Sequence, residues 1–209
     1  MKYLISFLFL ALAFSMKSEA KVTLPSILGD NMVLQQQAEV KLWGKARPNA
    51  TVTVKTSWNG QTYKFSSDGK GGWSLTVSTP VAGGPYKIIF NDGELLTLQN
   101  VLIGEVWFCS GQSNMEMPMG CFDRQPVRGA KDIIAKAKPS TPIRMYTTDS
   151  KDGRWVRQFS KTPAEDCQGE WLENTPVNVS HISAVSYYFA RYIQEVLEVP
   201  VGIVVSTWG

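Results

Sequence analysis

The 209 residues are 44% hydrophobic and 11% aromatic, which is enough apolar content for a packed globular core. The formal net charge is +3 with basic and acidic residues interspersed, so charge gives no reason to expect nucleic acid or an anionic membrane as a partner. Three cysteines and one histidine indicate neither a disulfide framework nor a zinc site, and we expect no metal and no cofactor. One pair among Cys109, Cys121 and Cys167 is able to form a disulfide, but the spacing does not indicate which.

Residues 1–20 have the features of a signal peptide. Lys2 precedes an apolar run from Leu4 to Phe14, and Ser18-Glu19-Ala20 has the small-x-small pattern that signal peptidase cleaves. The run is shorter than the roughly 20 residues that a membrane-spanning helix needs. We therefore expect an exported chain that begins at Lys21 and has no membrane partner after cleavage. Its location would be periplasmic or extracellular in a bacterium, and secretory or lysosomal in a eukaryote.

Residues 21–102 carry the pattern of short β-strands. Apolar residues alternate with polar ones in "EVKLW", "TVTVKTSW" and "WSLTV". Asn59-Gly60, just before "QTYKF", is a strong β-hairpin signal. The turn sequences "VAGGP" and "NDG" flank a further strand, "YKIIF". Short strands at this spacing predict a small β-sandwich domain.

Residues 103–209 alternate between strand and helix patterns. The apolar run from Val101 to Cys109 is typical of a strand buried on both faces. A helix is predicted over Asp132–Lys138 and a short strand over Ile143–Tyr146, whereas Lys151 to Val179 looks like an irregular surface excursion. The alternation predicts an α/β domain with a parallel sheet.

The longest predicted helix begins after its N-cap, Ser183, and ends before Pro200. "VGIVVS" follows it as a second buried strand. Because a buried parallel strand normally leads into a covering helix, a chain that stops at Trp208-Gly209 favours an incomplete domain. Apolar residues recur along the helix at helical spacing, at Val185, Tyr188, Phe189, Tyr192, Ile193 and Val196.

Ser113 is the candidate nucleophile, because it follows the apolar strand in "GEVWFCSGQSNMEMPM". A serine hydroxyl needs a base to remove its proton and donors to receive the developing oxyanion, and the end of a buried strand offers rigid support with open access. The plainer interpretation is a turn in which Ser113 caps a helix. The G-x-S-x-G motif is absent from "GQSNM", so the local spacing by itself favours the turn.

Four blocks of the chain resemble the sialate O-acetylesterase-like family of the SGNH hydrolase superfamily, in family order. "GEVWFCSGQSNMEMPM" is similar to the block in which the family has its nucleophile. "KVTLPSILGDNMVLQQ" resembles the opening of the family, "HISAVSYYFARYI" its helix, and "VPVGIVVSTWG" the strand that follows. The resemblance implies a small β-sandwich followed by an incomplete SGNH-type, flavodoxin-like parallel-sheet hydrolase domain.

The resemblance also implies an activity, the removal of acetyl groups from sugar hydroxyls through an acyl-enzyme. Ser113 would be the nucleophile, and the backbone N–H groups of Ser113 and Gly209 would hold the oxyanion. The family's base is an Asp-x-x-His pair near the carboxyl terminus of the full-length protein. The single histidine here, His181, does not match that position, so we expect little turnover from these residues alone.

Two alternatives to an esterase remain open. The first is an exported carbohydrate-binding protein with a degenerate hydrolase domain. Trp43, Trp58 and Trp73 would be its best sugar-stacking residues, unless at least two of them pack in the sandwich core. The second is a structural export product left by truncation, which would be loosely folded.

Overall fold

The computed structural model describes residues 22–151, the backbone of residues 154 and 155, and residues 162–208. The predicted signal peptide and Gly209 lie outside the described residues. The helices are α1 (Ser113–Glu116), α2 (Ala130–Ala135), α3 (Pro176–His181) and α4 (Ala184–Leu197). The strands are β1 (Val33–Gln35), β2 (Glu39–Lys45), β3 (Thr51–Thr56), β4 (Thr62–Ser66), β5 (Gly72–Ser78), β6 (Gly83–Asn91), β7 (Leu95–Gly111), β8 (Ile143–Thr147), β9 (Ser150–Lys151), β10 (Arg154–Trp155), β11 (Trp171–Glu173) and β12 (Val201–Thr207).

One large mixed sheet organises the described chain, in the strand order β11-β8-β12-β7-β6-β3-β4. Strand β7 is 17 residues long and joins its two parts. The amino-terminal half of β7 pairs antiparallel with β6 and parallel with the short β1, while the carboxyl-terminal half pairs parallel with β12. Strand β12 is also parallel to β8, whereas β11 is antiparallel to β8. The molecule is therefore of mixed α/β class, and the predicted domain boundary at residue 102 falls inside β7.

The first half of the chain forms the predicted short strands, and β2 to β6 pair antiparallel. Strands β3 and β4 pair across Asn59-Gly60, which confirms the predicted hairpin. Strands β2 and β5 form a separate two-stranded sheet, a pairing that the sequence did not indicate. Leu42 and Val77 of this small sheet and Val54 and Phe90 of the large one belong to one hydrophobic cluster. The two sheets thus share a core.

The limits of α4 agree with the prediction, but the face that it buries does not. Ser183 is the N-cap, and its hydroxyl accepts a hydrogen bond from the Ser186 N–H at 3.3 Å. The described residues that α4 buries are Ala184, Ser186, Tyr187 and Ala190, whereas four of the six apolar residues at helical spacing, Val185, Tyr188, Tyr192 and Val196, are exposed. The expected apolar face is wrong, since α4 packs on the sheet through three small residues and Tyr187, and most of the larger apolar side chains at that spacing face outward.

Two other expectations need correction. The run from Val101 to Cys109 is not buried throughout, since Phe108 is 69% exposed. Within the described residues the carboxyl-terminal half of β7 pairs only with β12, so its other edge is open. The expected excursion from Lys151 to Val179 contains the short strand β11 and the start of α3. These were missed because a three-residue strand and a six-residue helix give little periodic signal.

Two further features concern disulfides and membrane-spanning helices. All three cysteines are described, and none is joined to another by a disulfide. No helix in the described part of the chain has the length and apolar character needed to cross a membrane.

Candidate active site

Ser113 lies at the carboxyl end of β7, where the chain leaves the sheet. The parallel register places Ser110 opposite Ser206 and Gly111 opposite Thr207, so β7 and β12 end at the same edge. The Trp208 N–H continues this pairing by donating to the Gly111 carbonyl oxygen at 3.1 Å. Two residues beyond that contact, the exposed Ser113 begins α1.

The turn that carries Ser113 is held by the amino end of α4. The Ala184 N–H donates to the Met117 carbonyl oxygen at 2.7 Å, directly after α1. The Ser186 hydroxyl donates to the Met115 sulfur at 3.3 Å. A Cβ on Gly111 would lie 3.0 Å from the Met115 Cβ, so this side chain packs closely over the end of the strand. Sheet and helix together therefore set the position of the serine.

The hydroxyl of Ser113 is available to a ligand. No hydrogen bond to this hydroxyl is formed by the residues that the structure describes. Ser113 is also not the N-cap of α1, because that position belongs to Gln112, whose side chain makes no capping bond. The plainer interpretation, a serine that caps a helix, therefore does not describe this residue.

Of the other two residues considered for catalysis, only His181 lies within the described residues, and it makes no hydrogen bond with Ser113. His181 is exposed at the end of α3, and none of the described residues forms a hydrogen bond or ion pair with it. No carboxylate in the described part of the chain therefore orients this imidazole, as a general base would require. Gly209, the predicted second oxyanion donor, lies outside the described residues. Its neighbour Trp208 is the last residue that the structure places at this edge.

The face of the sheet behind this edge carries further hydroxyl groups. The Thr148 hydroxyl, just after β8, donates to the Ser206 hydroxyl at 3.1 Å. The Thr207 hydroxyl is buried and has no hydrogen-bond partner within the described part of the chain. Sequence reasoning did not single out Thr148, because 58 residues separate it from Ser206 and only the parallel sheet joins them. No three His, Cys, Asp or Glu side chains among the described residues are grouped so as to hold a metal ion.

The three tryptophans proposed for sugar stacking have different surroundings. Trp73 is buried between Phe65 and Phe90. Trp58 is half-buried against the same cluster, and its indole N–H donates to a backbone carbonyl at 3.0 Å. Trp43 is 41% exposed. Two of the three thus serve packing, and Trp43 alone of them offers a substantial free face.

The chain has similar relatives among known proteins. Human sialate O-acetylesterase is 28% identical over 202 residues, which cover 88% of this chain and 36% of the human protein. The rat sialate O-acetylesterase is 30% identical over 199 residues, covering 88% of this chain and 35% of the rat protein. The crystal structure of a carbohydrate acetylesterase from Xanthomonas citri matches 90% of this chain and 40% of that chain, with a TM-score of 0.79 and 33% identity. No family model matches the chain.

The chain belongs to the sialate O-acetylesterase-like family. This finding confirms the family that the sequence resembles. The chain spans 35–36% of the length of the curated relatives that it matches. The activity of the whole protein in this family is therefore a matter for proposal.

Proposed function

We propose that this chain carries the nucleophile of a carbohydrate O-acetylesterase, and that Ser113 is that nucleophile. The observation that carries the proposal is the position of its hydroxyl, exposed at the carboxyl end of β7 beside the parallel β12. Strand ends of this kind are where open α/β sheets bind their ligands. The names of the relatives, sialate O-acetylesterase and carbohydrate acetylesterase, support an acetylated carbohydrate as the substrate.

In the proposed reaction, the Ser113 oxygen attacks the carbonyl carbon of the acetyl ester and gives its proton to a base. The carbon–oxygen bond to the sugar then breaks, and the sugar oxygen takes up that proton. Water hydrolyses the acetyl-serine to acetate and restores the hydroxyl. The backbone N–H of Ser113 and that of Gly209 are the donors proposed for the oxyanion, where each would lower the barrier of both steps.

The base is the part of the reaction that the described residues do not supply. His181 is exposed and no described residue orients it, so we propose that the imidazole comes from the Asp-x-x-His pair of the family. We accordingly propose that this chain alone has little turnover. Added imidazole should then raise its rate, since a free base replaces the missing one.

Acetate release from an acetylated oligosaccharide tests the nucleophile. In a protein that contains this chain together with the family's Asp-x-x-His segment, Ser113→Ala should reduce kcat by at least about a thousandfold, because the covalent route is lost. Ser140→Ala is the matched control, since Ser140 is an exposed serine in the loop before β8, remote from the candidate edge. Full activity of the Ser113→Ala variant would contradict the assignment.

Hydrolysis of an activated acetate ester by this chain tests the base. After subtraction of the hydrolysis that imidazole causes without protein, the rate should rise with added imidazole, and that rise should be absent in Ser113→Ala. His181→Asn should leave both rates unchanged. A large loss of the imidazole-free rate in His181→Asn would show that this histidine is the base after all.

The finer features of the fold and the location are proposals of the same kind. The shared core of the β2–β5 sheet and the larger sheet supports a β-sandwich, and the parallel strands β8, β12 and β7 support the SGNH-type domain. Export rests on the signal-like pattern of residues 1–20. An amino terminus at Lys21 in the processed protein would support it, and retention of Met1 would contradict it.

The second candidate function is an exported carbohydrate-binding protein with a degenerate hydrolase domain. The exposed face of Trp43 favours it. Glycan binding without any Ser113-dependent acetate release in the longer protein would distinguish this function from the esterase.

A further inference from the structure

A groove lies between Trp43 on β2 and Ser206 on β12. It has a volume of about 360 Å³, and its described lining includes Trp43, Thr148, Asp149, Asp166 and Ser206. Ser206 is the link to the candidate site, because it lies opposite Ser110 in the parallel register. One end of the groove therefore lies at Ser206, next to the strand end that leads to Ser113.

The separation of the groove from Ser113 can be bounded from the backbone. Paired residues on neighbouring strands are about 4.8 Å apart, which places Ser206 beside Ser110. The three residues from Ser110 to Ser113 span at most about 11 Å. The near end of the groove thus lies within about 16 Å of the candidate nucleophile, a distance that a short oligosaccharide covers.

The wall of the groove is fixed by hydrogen bonds that connect distant segments. Asp166 accepts from the Ser26 N–H at 3.0 and 3.1 Å and from the Ser26 hydroxyl at 3.0 Å. The Asp149 N–H donates to the Cys167 carbonyl oxygen at 3.0 Å. The Cys167 sulfur lies 3.3 Å from the hydroxyl of the buried Tyr146. These contacts hold the polar groups in place before any ligand arrives, which reduces the entropy lost on binding.

The chemistry of the groove suits a sugar. Trp43 presents an apolar ring on which the C–H face of a pyranose can pack. The carboxylates of Asp149 and Asp166 accept hydrogen bonds from sugar hydroxyls, and the Thr148 hydroxyl can both donate and accept. An aromatic platform flanked by a few fixed polar groups is the usual composition of a small-molecule site.

The charge of the groove selects among sugars. Glu165 also lines it, but its carboxylate is paired with the Lys45 ammonium at 2.8 Å, which leaves Asp149 and Asp166 as the lining carboxylates that form no ion pair with a described residue. In water, a ligand carboxylate about 7 Å from one of these charges binds about threefold more weakly. An anionic sugar is therefore disfavoured relative to a neutral one.

We infer that the Trp43 groove is a subsite for a neutral sugar unit of an oligosaccharide whose acetylated unit lies at Ser113. The role as a subsite rests on the proposed function, whereas the binding of a neutral glycan does not. The inference adds a binding residue outside the hydrolase part of the chain. It also narrows the substrate class, because a free sialic acid would neither reach Trp43 nor be favoured by the charge.

Calorimetric titration of this chain with unacetylated glycans tests the subsite without any ester chemistry. The probes are cellotetraose, xylotetraose and mannotetraose as neutral ligands and 3′-sialyllactose as the anionic one. At least one neutral tetrasaccharide should bind, and 3′-sialyllactose should bind more weakly. Failure of all three neutral glycans, or tighter binding of 3′-sialyllactose, would overturn the inference.

Variants of the groove identify where the glycan binds. Trp43→Ala should weaken binding at least about tenfold, as expected for a tryptophan that anchors a contact. Trp43→Phe keeps an aromatic face and should retain affinity within about threefold, which separates loss of stacking from loss of fold. Tyr192→Ala is the matched control, because it removes an exposed aromatic ring from α4, remote from the groove. Equal affinity of wild type and Trp43→Ala would refute the subsite.

The charge argument has its own variant. Asp149→Asn removes one negative charge and suits the left-handed backbone at this position, where φ is 51°. It should strengthen binding of 3′-sialyllactose about threefold, while Glu198→Gln, an exposed charge change at the far end of α4, should not. No change in Asp149→Asn would contradict the selection by charge.

The outcomes separate the subsite from the esterase proposal. If Ser113→Ala abolishes acetate release but Trp43→Ala binds glycans normally, the subsite fails and the esterase stands. If glycans bind through Trp43 but no Ser113-dependent acetate is released, the esterase fails and the groove remains a glycan-binding site.

Discussion

The contact between Gly104 and Pro200 is where β7 passes from one part of the sheet to the other. Gly104 is buried, and an ideal Cβ built on it would lie 2.0 Å from the Pro200 carbonyl oxygen. That oxygen accepts a hydrogen bond from the Glu105 N–H at 2.9 Å, just before the pairing of β7 with β12. Gly104→Ala should therefore push the two strands apart at the point where their parallel pairing begins.

The magnitude follows from these distances. Real Cβ contacts do not fall below 3.0 Å, so the backbone must move by at least 1.0 Å, which breaks the Glu105 hydrogen bond. A lost hydrogen bond costs about 1 kcal/mol and overpacking about 1–3 kcal/mol, so the free energy of unfolding should fall by about 2–4 kcal/mol. With a urea m-value of about 2 kcal/mol/M, the midpoint should fall by about 1–2 M.

Urea unfolding followed by tryptophan fluorescence measures this change. Gly69→Ala is the matched control, because no atom lies within 4 Å of its added Cβ and its φ is not in the left-handed region. That variant should be neutral or stabilising by up to about 1 kcal/mol. A midpoint for Gly104→Ala equal to that of Gly69→Ala would refute the argument that β7 and the Pro200 segment are in direct contact.

Three further predictions concern the packing of α4 and the sheet. Tyr187→Phe should lower the free energy of unfolding by about 1–3 kcal/mol in urea, because it leaves the buried Asn174 Oδ1, now 2.7 Å from the tyrosine hydroxyl, unpaired. Ser183→Ala should cost about 1 kcal/mol by thermal unfolding, since it removes the cap on the Ser186 N–H. Burial raises the pKa of Tyr146 above its usual value, so the unfolded chain releases this proton first and stability should fall as the pH rises above about 10. Tyr146→Phe should flatten that fall, and an unchanged alkaline profile would contradict the prediction.

Much of the local structure follows from residue periodicity. Alternation in "TVTVKTSW" predicts β3, and Val52 and Val54 are both fully buried in it. Asn59-Gly60 predicts the hairpin, and Ser183 predicts the start of α4. Such signals are reliable because side-chain direction alternates along a strand and the first turn of a helix needs a cap, whatever packs against them.

The face of α4 shows where periodicity fails. A pattern of large apolar residues predicted one face, but the helix packs through Ala184 and Ala190, and Tyr192 faces outward. The choice depends on how closely the helix axis approaches the sheet, which is a property of the pair and not of the helix. The open edge at Phe108 has a similar cause, because a strand does not encode whether a neighbour covers it.

The candidate site also has features that the sequence predicted and features that only the tertiary structure showed. The sequence by itself determined that a serine follows an apolar strand and that short β-strands precede it. It also determined that four blocks resemble one family. Each of these results depends on residues that are close in the chain. Only the tertiary structure decided that Ser206 lies beside Ser110 and that Trp43, unlike Trp58 and Trp73, is left with a free face. These facts depend on parallel pairing and on core packing between residues far apart in the chain, and local composition predicts neither.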